Sequence, residues 1–176
     1  LSSGRGPSGI AIVRISGKDT LKVCKNLTKL KDINVNEVNY CQFYDPKIDK
    51  IIDPEALLLW FPGPNSYTGE DLAEFQVHGS NAVINALLKT LSEQKNCRLA
   101  EPGEFTKKAF QNDKIDLLKA ESVGDLIHAE TELQREQAVK LVQGNASNYY
   151  NDLREKLIKS LSYIEAKIDF AEDDLP

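Results

Sequence analysis

Over Leu72–Gly79 the chain reads LAEFQVHG, and its polar residues Glu74, Gln76 and His78 fall at every second position. A period of two puts such residues on one face of a strand, with Ala73, Phe75 and Val77 on the other. A carboxylate, an amide and an imidazole then stand in a row on one rigid element, where binding groups are held best. The same row also describes the wet side of a half-buried sheet. The flanks favour the first reading, because the stretch leaves a Pro/Gly loop, FPGPNSYTGED (Phe61–Asp71), and enters a turn at Gly79.

Two cations add to this row. Arg14 lies inside the apolar run IAIVRI (Ile10–Ile15), so it sits at a strand edge, pairs internally or points into a pocket. Lys114 lies in QNDKIDL between two aspartates, where it is either a solvated turn lysine or a binding cation. His128, in LIHAETE, reads as a polar helix residue.

Several familiar devices are excluded. Gly4, Gly6 and Gly9 spell GxGxxG, but a strand follows them and none precedes them, so the phosphate-binding geometry of a dinucleotide fold is missing. The 61–71 loop ends in Glu70-Asp71, which would repel phosphates, and the chain holds no GxxxxGK[ST] segment. Cys24, Cys41 and Cys97 are odd in number and widely spaced, which suits reduced structural thiols in an intracellular compartment better than a zinc site.

The 176 residues are 41% hydrophobic, enough for a real core, and the net charge of −5 offers no general attraction to nucleic-acid backbones. No apolar run reaches the roughly 20 residues that span a bilayer, and no signal or transit peptide is expected. The sequence begins at Leu1 and holds no methionine, as expected of a piece rather than a complete translation product.

The elements that must position these residues follow from periodicity. Ile10–Ile15 and Ala56–Phe61 read as buried strands, and Leu72–Gly79 as a half-buried one. A helix is expected through Leu21, Cys24 and Leu27, and another through Ile84, Leu87, Leu88 and Leu91, with Asn81 as its cap. Residues 31–55 read as irregular, with one strand at Tyr40–Tyr44. Arg98–Ala100 reads as a short strand, and a short helix follows with Phe105, Ala109 and Phe110. Beyond Asn112 only helical signals remain. The last of these carries Tyr150, Leu153, Leu157, Leu161, Ile164 and Ile168 as an apolar stripe that must face something. The expected organisation is α+β: a mixed α+β domain over 1–112 and an all-α segment over 113–176. From these residues alone, a small-molecule binding or interaction module is favoured over an enzyme.

The segments GRGPSGIAIVRISG, LLLWFPGPNSYTGEDLAEFQVHGS, PGEFTKKAFQNDKIDLLKAESVGDLIHAETE and IEAKIDFAEDD, in this order, resemble the N-terminal part of the tRNA modification GTPase MnmE (TrmE) family. The likeness covers nearly the whole chain and is weakest over residues 19–55. It implies a mixed-sheet folate-binding domain similar to that of the glycine-cleavage aminomethyltransferases, which holds formyl-tetrahydrofolate and forms a homodimer. It implies a helical domain next, interrupted by a G domain that hydrolyses GTP with magnesium and potassium. With an MnmG-type flavoprotein partner, the family modifies the wobble uridine of tRNAs. The G domain and the family's C-terminal cysteine motif are absent from this chain. The family's folate-contacting positions fall on Arg14, Glu74 and Lys114. The HAETE form resembles mitochondrial members more than most bacterial ones, so a mitochondrial or bacterial cytoplasmic setting is implied. Two alternatives stay open: a free-standing folate-dependent one-carbon transferase, and a protein-interaction module without folate.

Overall fold

The computed structural model describes residues 1–4 and 6–169. It divides into two compact units, Leu1–Lys114 and Ile115–Pro176. Unit 1 holds four strands, β1 (Ser8–Ser16), β2 (Val38–Asp45), β3 (Lys50–Phe61) and β4 (Leu72–Gly79). It also holds three helices, α1 (Thr20–Thr28), α2 (Asn81–Ser92) and α3 (Glu104–Gln111).

The strands form one sheet in the order β1-β4-β3-β2, with every neighbouring pair antiparallel. The expected α+β class is what forms, but the expected mixed sheet is not. β2–β3 and β3–β4 are joined by local loops that reverse the chain, and β1 docks antiparallel on the free edge of β4. Among the described residues, parallel pairing is limited to an isolated bridge between Val35 and Trp60.

One face of the sheet is the core. Ala11, Val13, Ala56, Leu58, Trp60, Ala73, Phe75 and Val77 bury there with Val23, Cys24 and Leu27 of α1 and Ile84, Leu87 and Leu91 of α2. Phe43 and Phe75 meet edge-to-face at 5.1 Å between ring centroids. The alternation read in β4 is therefore correct. β1, expected to be a buried strand, alternates too: Ala11 and Val13 are buried, whereas Ile10 is exposed.

The region 31–55 holds more structure than expected. β2 is longer than Tyr40–Tyr44, and β3 starts at Lys50 rather than Ala56. The two are joined by a turn in which Lys47 N–H donates to Asp45 Oδ1 at 2.9 Å and Asp49 takes a positive φ of 52°. The early part of β3 was hidden because Pro54 cannot donate to a ladder and Asp53 breaks the apolar pattern. The β2–β3 register shifts at this place, between Cys41 and Phe43. Arg98–Ala100 is not a strand; Arg98 instead pairs with Glu104 in the first turn of α3. Helix α2 is capped by Ser80, whose Oγ accepts from Val83 N–H at 3.2 Å, and not by Asn81.

Unit 2 is helical throughout its described residues, with α4 (Leu117–Ile127), α5 (Glu132–Val142) and α6 (Asn145–Asp169). Asp116 caps α4 through Lys119 N–H at 2.7 Å, and Thr131 with Gln134 forms a capping box on α5. Gly144 (φ 84°) separates α5 from α6. His128 is the C-cap of α4, its Nδ1 2.8 Å from the Gly124 carbonyl. The apolar stripe of α6 is exposed from Tyr150 to Ile168, and no described residue of that helix is buried.

Candidate ligand site

The face of the sheet away from α1 and α2 carries the polar row. Arg14 and Glu74 are direct register partners on β1 and β4, and Leu59 of β3 pairs with Glu74 from the other side. Cross-strand partners share a face, so the cation and the carboxylate must meet. Arg14 Nε donates to Glu74 Oε1 at 2.7 Å, with the side chains 36% and 16% exposed. Of the readings open for Arg14, internal pairing is therefore real. It leaves chemistry unused: among the described residues the Arg14 Nη groups and Glu74 Oε2 have no hydrogen-bond partner. The surroundings are apolar and partly uncovered, with Leu57 and Leu59 half-buried and Val38 and Tyr40 exposed.

The loop Phe61–Asp71 grips itself. Gly63 N–H donates to Asp71 Oδ1 at 2.9 Å, and Ser66 Oγ donates to the Glu70 carbonyl. Glu70 Oε2 accepts from Lys108 Nζ at 2.6 Å and from Ser16 Oγ at 2.9 Å. Burial alone would push the Glu70 carboxyl up; the bonds from Lys108 and Ser16 outweigh it, and its pKa falls below the usual value. The two acids that rule out phosphate binding thus close the loop and tie it to β1 and α3. Fully buried Thr68 completes the tie, with its Oγ1 2.8 Å from Ser16 Oγ and its carbonyl accepting from Asn112 Nδ2 at 2.7 Å.

Lys114 reaches this loop and not the ion pair. Its backbone N–H donates to the Ala109 carbonyl at 2.9 Å, and its aliphatic stem lies against Gly69. A Cβ on Gly69 would stand 3.3 Å from Lys114 Cγ and 3.1 Å from Asn112 Cβ, and the φ of 77° already disfavours any side chain there. Lys114 Nζ makes no ion pair or hydrogen bond among the described residues, with Arg14, Glu74 or any other group. The structure thus joins Arg14 to Glu74 directly and sets Lys114 against the loop that leads into β4.

The unused groups leave acceptors and donors for a ligand. Glu74 can accept the paired amino and ring N–H groups of a pterin edge, while the Arg14 Nη groups and Lys114 Nζ can donate to carbonyls or to a carboxylate tail. Among the described residues, no group of three or more His, Cys, Asp or Glu side chains could hold a metal.

Sequence reading missed Asp53. It is fully buried and lies 3.0 Å from His78 Nδ1. An aspartate before a proline in an apolar run, IIDPEALLL, was the available signal. The cysteines show no functional poise: burial pushes the Cys24 thiol far up and, with nearby Asp53 adding to it, the Cys41 thiol to about 11. No described helix is long and apolar enough to cross a membrane.

Residues 1–114 match the family described as GTP-binding protein TrmE N-terminus, and residues 117–176 match the MnmE helical domain. The chain is 58% identical to the tRNA modification GTPase MnmE of Pelagibacter ubique, over all of this chain and 40% of that protein. It is 42% identical to the mitochondrial tRNA modification GTPase gtpbp3 of Dictyostelium discoideum, over 98% of this chain and 35% of the relative. It is 44% identical to the mitochondrial 5-taurinomethyluridine-(tRNA) synthase subunit GTPB3 of Homo sapiens, over 99% of this chain and 35% of the relative. The chain thus spans well under half the length of these curated relatives. The matches run in the order of the two units and cover them both, so the chain belongs to the tRNA modification GTPase MnmE (TrmE) family.

Proposed function

We propose that unit 1 binds formyl-tetrahydrofolate and forms the homodimer of a longer tRNA-modifying GTPase, with Arg14, Glu74 and Lys114 contacting the folate. The observation that carries this reading is the Arg14–Glu74 pair at 2.7 Å, which leaves one carboxylate oxygen and the outer guanidinium groups unused on the sheet face away from α1 and α2. Family membership supports the ligand class. It also supports placing the fold with the aminomethyltransferase folate domains. GTP hydrolysis with magnesium and potassium belongs, in this proposal, to a G domain outside this chain. Wobble-uridine modification belongs to the full protein with an MnmG-type flavoprotein, and tRNA is engaged through that complex, since unit 1 and unit 2 together carry a net charge of −5. Mitochondrial names among the relatives beside a bacterial one support either the mitochondrion or the bacterial cytoplasm as the setting.

Calorimetric titration with formyl-tetrahydrofolate tests the site. Glu74→Gln replaces an acceptor oxygen with a donor, and Lys114→Ala removes a cation that makes no hydrogen bond among the described residues. Each lost charge-assisted bond is worth about 1.5–3 kcal/mol, or roughly tenfold to a hundredfold in affinity. Both variants should melt near the parent, with Glu74→Gln the lower because Arg14 loses its partner. Folate binding as tight as the parent's in both would refute the assignment. A parent chain that binds no folate would leave the interaction module as the reading.

A further inference from the structure

The β3–β4 ladder ends at the pair Leu57–Gln76. Two residues on, the backbone N–H of His78 is taken by a side chain instead: Asp53 Oδ2 accepts it at 2.8 Å. Asp53 Oδ1 accepts the Glu55 N–H at 3.1 Å. This carboxylate is fully buried and already holds two backbone donors. Neither donor requires an imidazole at position 78. Yet the ring is there, with Nδ1 at 3.0 and 3.1 Å from the two oxygens of Asp53. A carboxylate against Nδ1 fixes the hydrogen on that nitrogen and the plane of the ring, and leaves Nε2 as an acceptor. Nε2 has no hydrogen-bond partner among the described residues, and the side chain is 59% exposed. It borders a shallow depression of about 130 Å³, walled by Ile10 and Leu57 and flanked by Gln76 and Glu55. By the alternation of β4, His78 belongs to the face of Glu74 and Gln76.

We propose that His78, oriented by Asp53, is a further ligand-contacting residue of the sheet-face site, its Nε2 accepting an N–H of a bound reduced folate outside the pterin edge that Glu74 takes. The proposal rests on the folate reading above. It makes Asp53 a positioning residue, and it extends the site along β4 from Glu74 to the end of the strand.

Three measurements on the 176-residue chain test it: long-range ¹⁵N–¹H correlation of the imidazole, calorimetric titration with formyl-tetrahydrofolate, and thermal melting. The free protein should show the Nδ1–H tautomer, and the Nε2 signal should move as folate saturates the site. His78→Asn keeps an amide donor near Asp53 but removes the outer nitrogen, so it should melt like the parent and bind folate about tenfold more weakly. His78→Gln places an amide oxygen at the outer position and should recover most of the affinity. Folate binding by the parent with a static Nε2 signal would overturn the proposal, as would parental affinity in His78→Asn. If His78→Asn fails to fold, the Nε2 signal decides alone. A parent that binds no folate overturns the proposal together with the folate reading, so the two failures are told apart.

Discussion

At the scale of single residues, the same side-chain types serve opposite ends. Glu74 keeps one oxygen unused, whereas Glu104 spends both of its oxygens: Oε2 accepts from Arg98 Nη1 at 2.9 Å and from Glu101 N–H at 2.8 Å, and Oε1 pairs with Arg98 Nη2. The Arg98 guanidinium first, and then the Glu101 N–H, hold the Glu104 carboxyl down to about 2. A carboxyl held below its unfolded value stabilises the fold fully above about pH 4.5, and that contribution disappears as pH falls toward 2. Unit 1 should therefore lose stability across this window. In Glu104→Gln the loss should be shallower and the stability at neutral pH lower, as read by denaturant midpoints at stepped pH. An unchanged acid slope in the variant would remove Glu104 from the account.

At the scale of elements, the loop 61–71 shows how a Pro/Gly segment can be rigid. Its acids, hydroxyls and glycines bond inward to β1 and α3, and Gly69 lies flat enough for the stem of Lys114 to rest on it. Gly69→Ala puts a side chain at a φ of 77° and crowds Asn112 and Lys114. A left-handed conformation costs a non-glycine residue about 1–2 kcal/mol. The variant should be destabilised by at least that much in urea, and folate affinity should drop with it because Lys114 is displaced. Helix α6 is the opposite kind of element, long, regular and uncovered. With Leu153, Leu157, Leu161 and Ile164 all exposed, it lacks the packing from which helices draw most of their stability. Backbone amides over 145–169 should exchange with solvent much faster than those of β3 and β4. Equal protection would show that a second surface covers the stripe in solution, and helices from the remaining length of the full protein are the covering we propose for it.

At the scale of the whole molecule, unit 1 presents a sheet with one face packed and the other bearing Val38, Tyr40, Leu57 and Leu59 beside the ion pair. An antiparallel sheet tolerates water on one face, but exposed apolar residues grouped on it favour association. If unit 1 forms the proposed homodimer, light scattering at micromolar concentration should give twice the 19.7 kDa chain mass. A monomer that persists at high concentration would count against it.

Period-two alternation determined by itself that Glu74, Gln76 and His78 share a face, because side-chain direction in a strand is a local property of the backbone. The helices through Leu27, Leu87 and Leu157 were legible for the same reason, and the long motifs marked the family and its candidate residues. Local sequence left the fate of Arg14 open between an edge, a pair and a pocket. The pairing of β1 with β4 brought it to Glu74 across sixty positions of sequence. Asp53 stayed invisible because its meaning comes from a partner on another strand: it takes an N–H that the β3 ladder fails to reach, and a buried carboxylate is recognisable only once its donors are in place. The mixed sheet was a wrong expectation on the same ground, since strand direction and order follow from which edges meet, and no periodicity within a single strand encodes that.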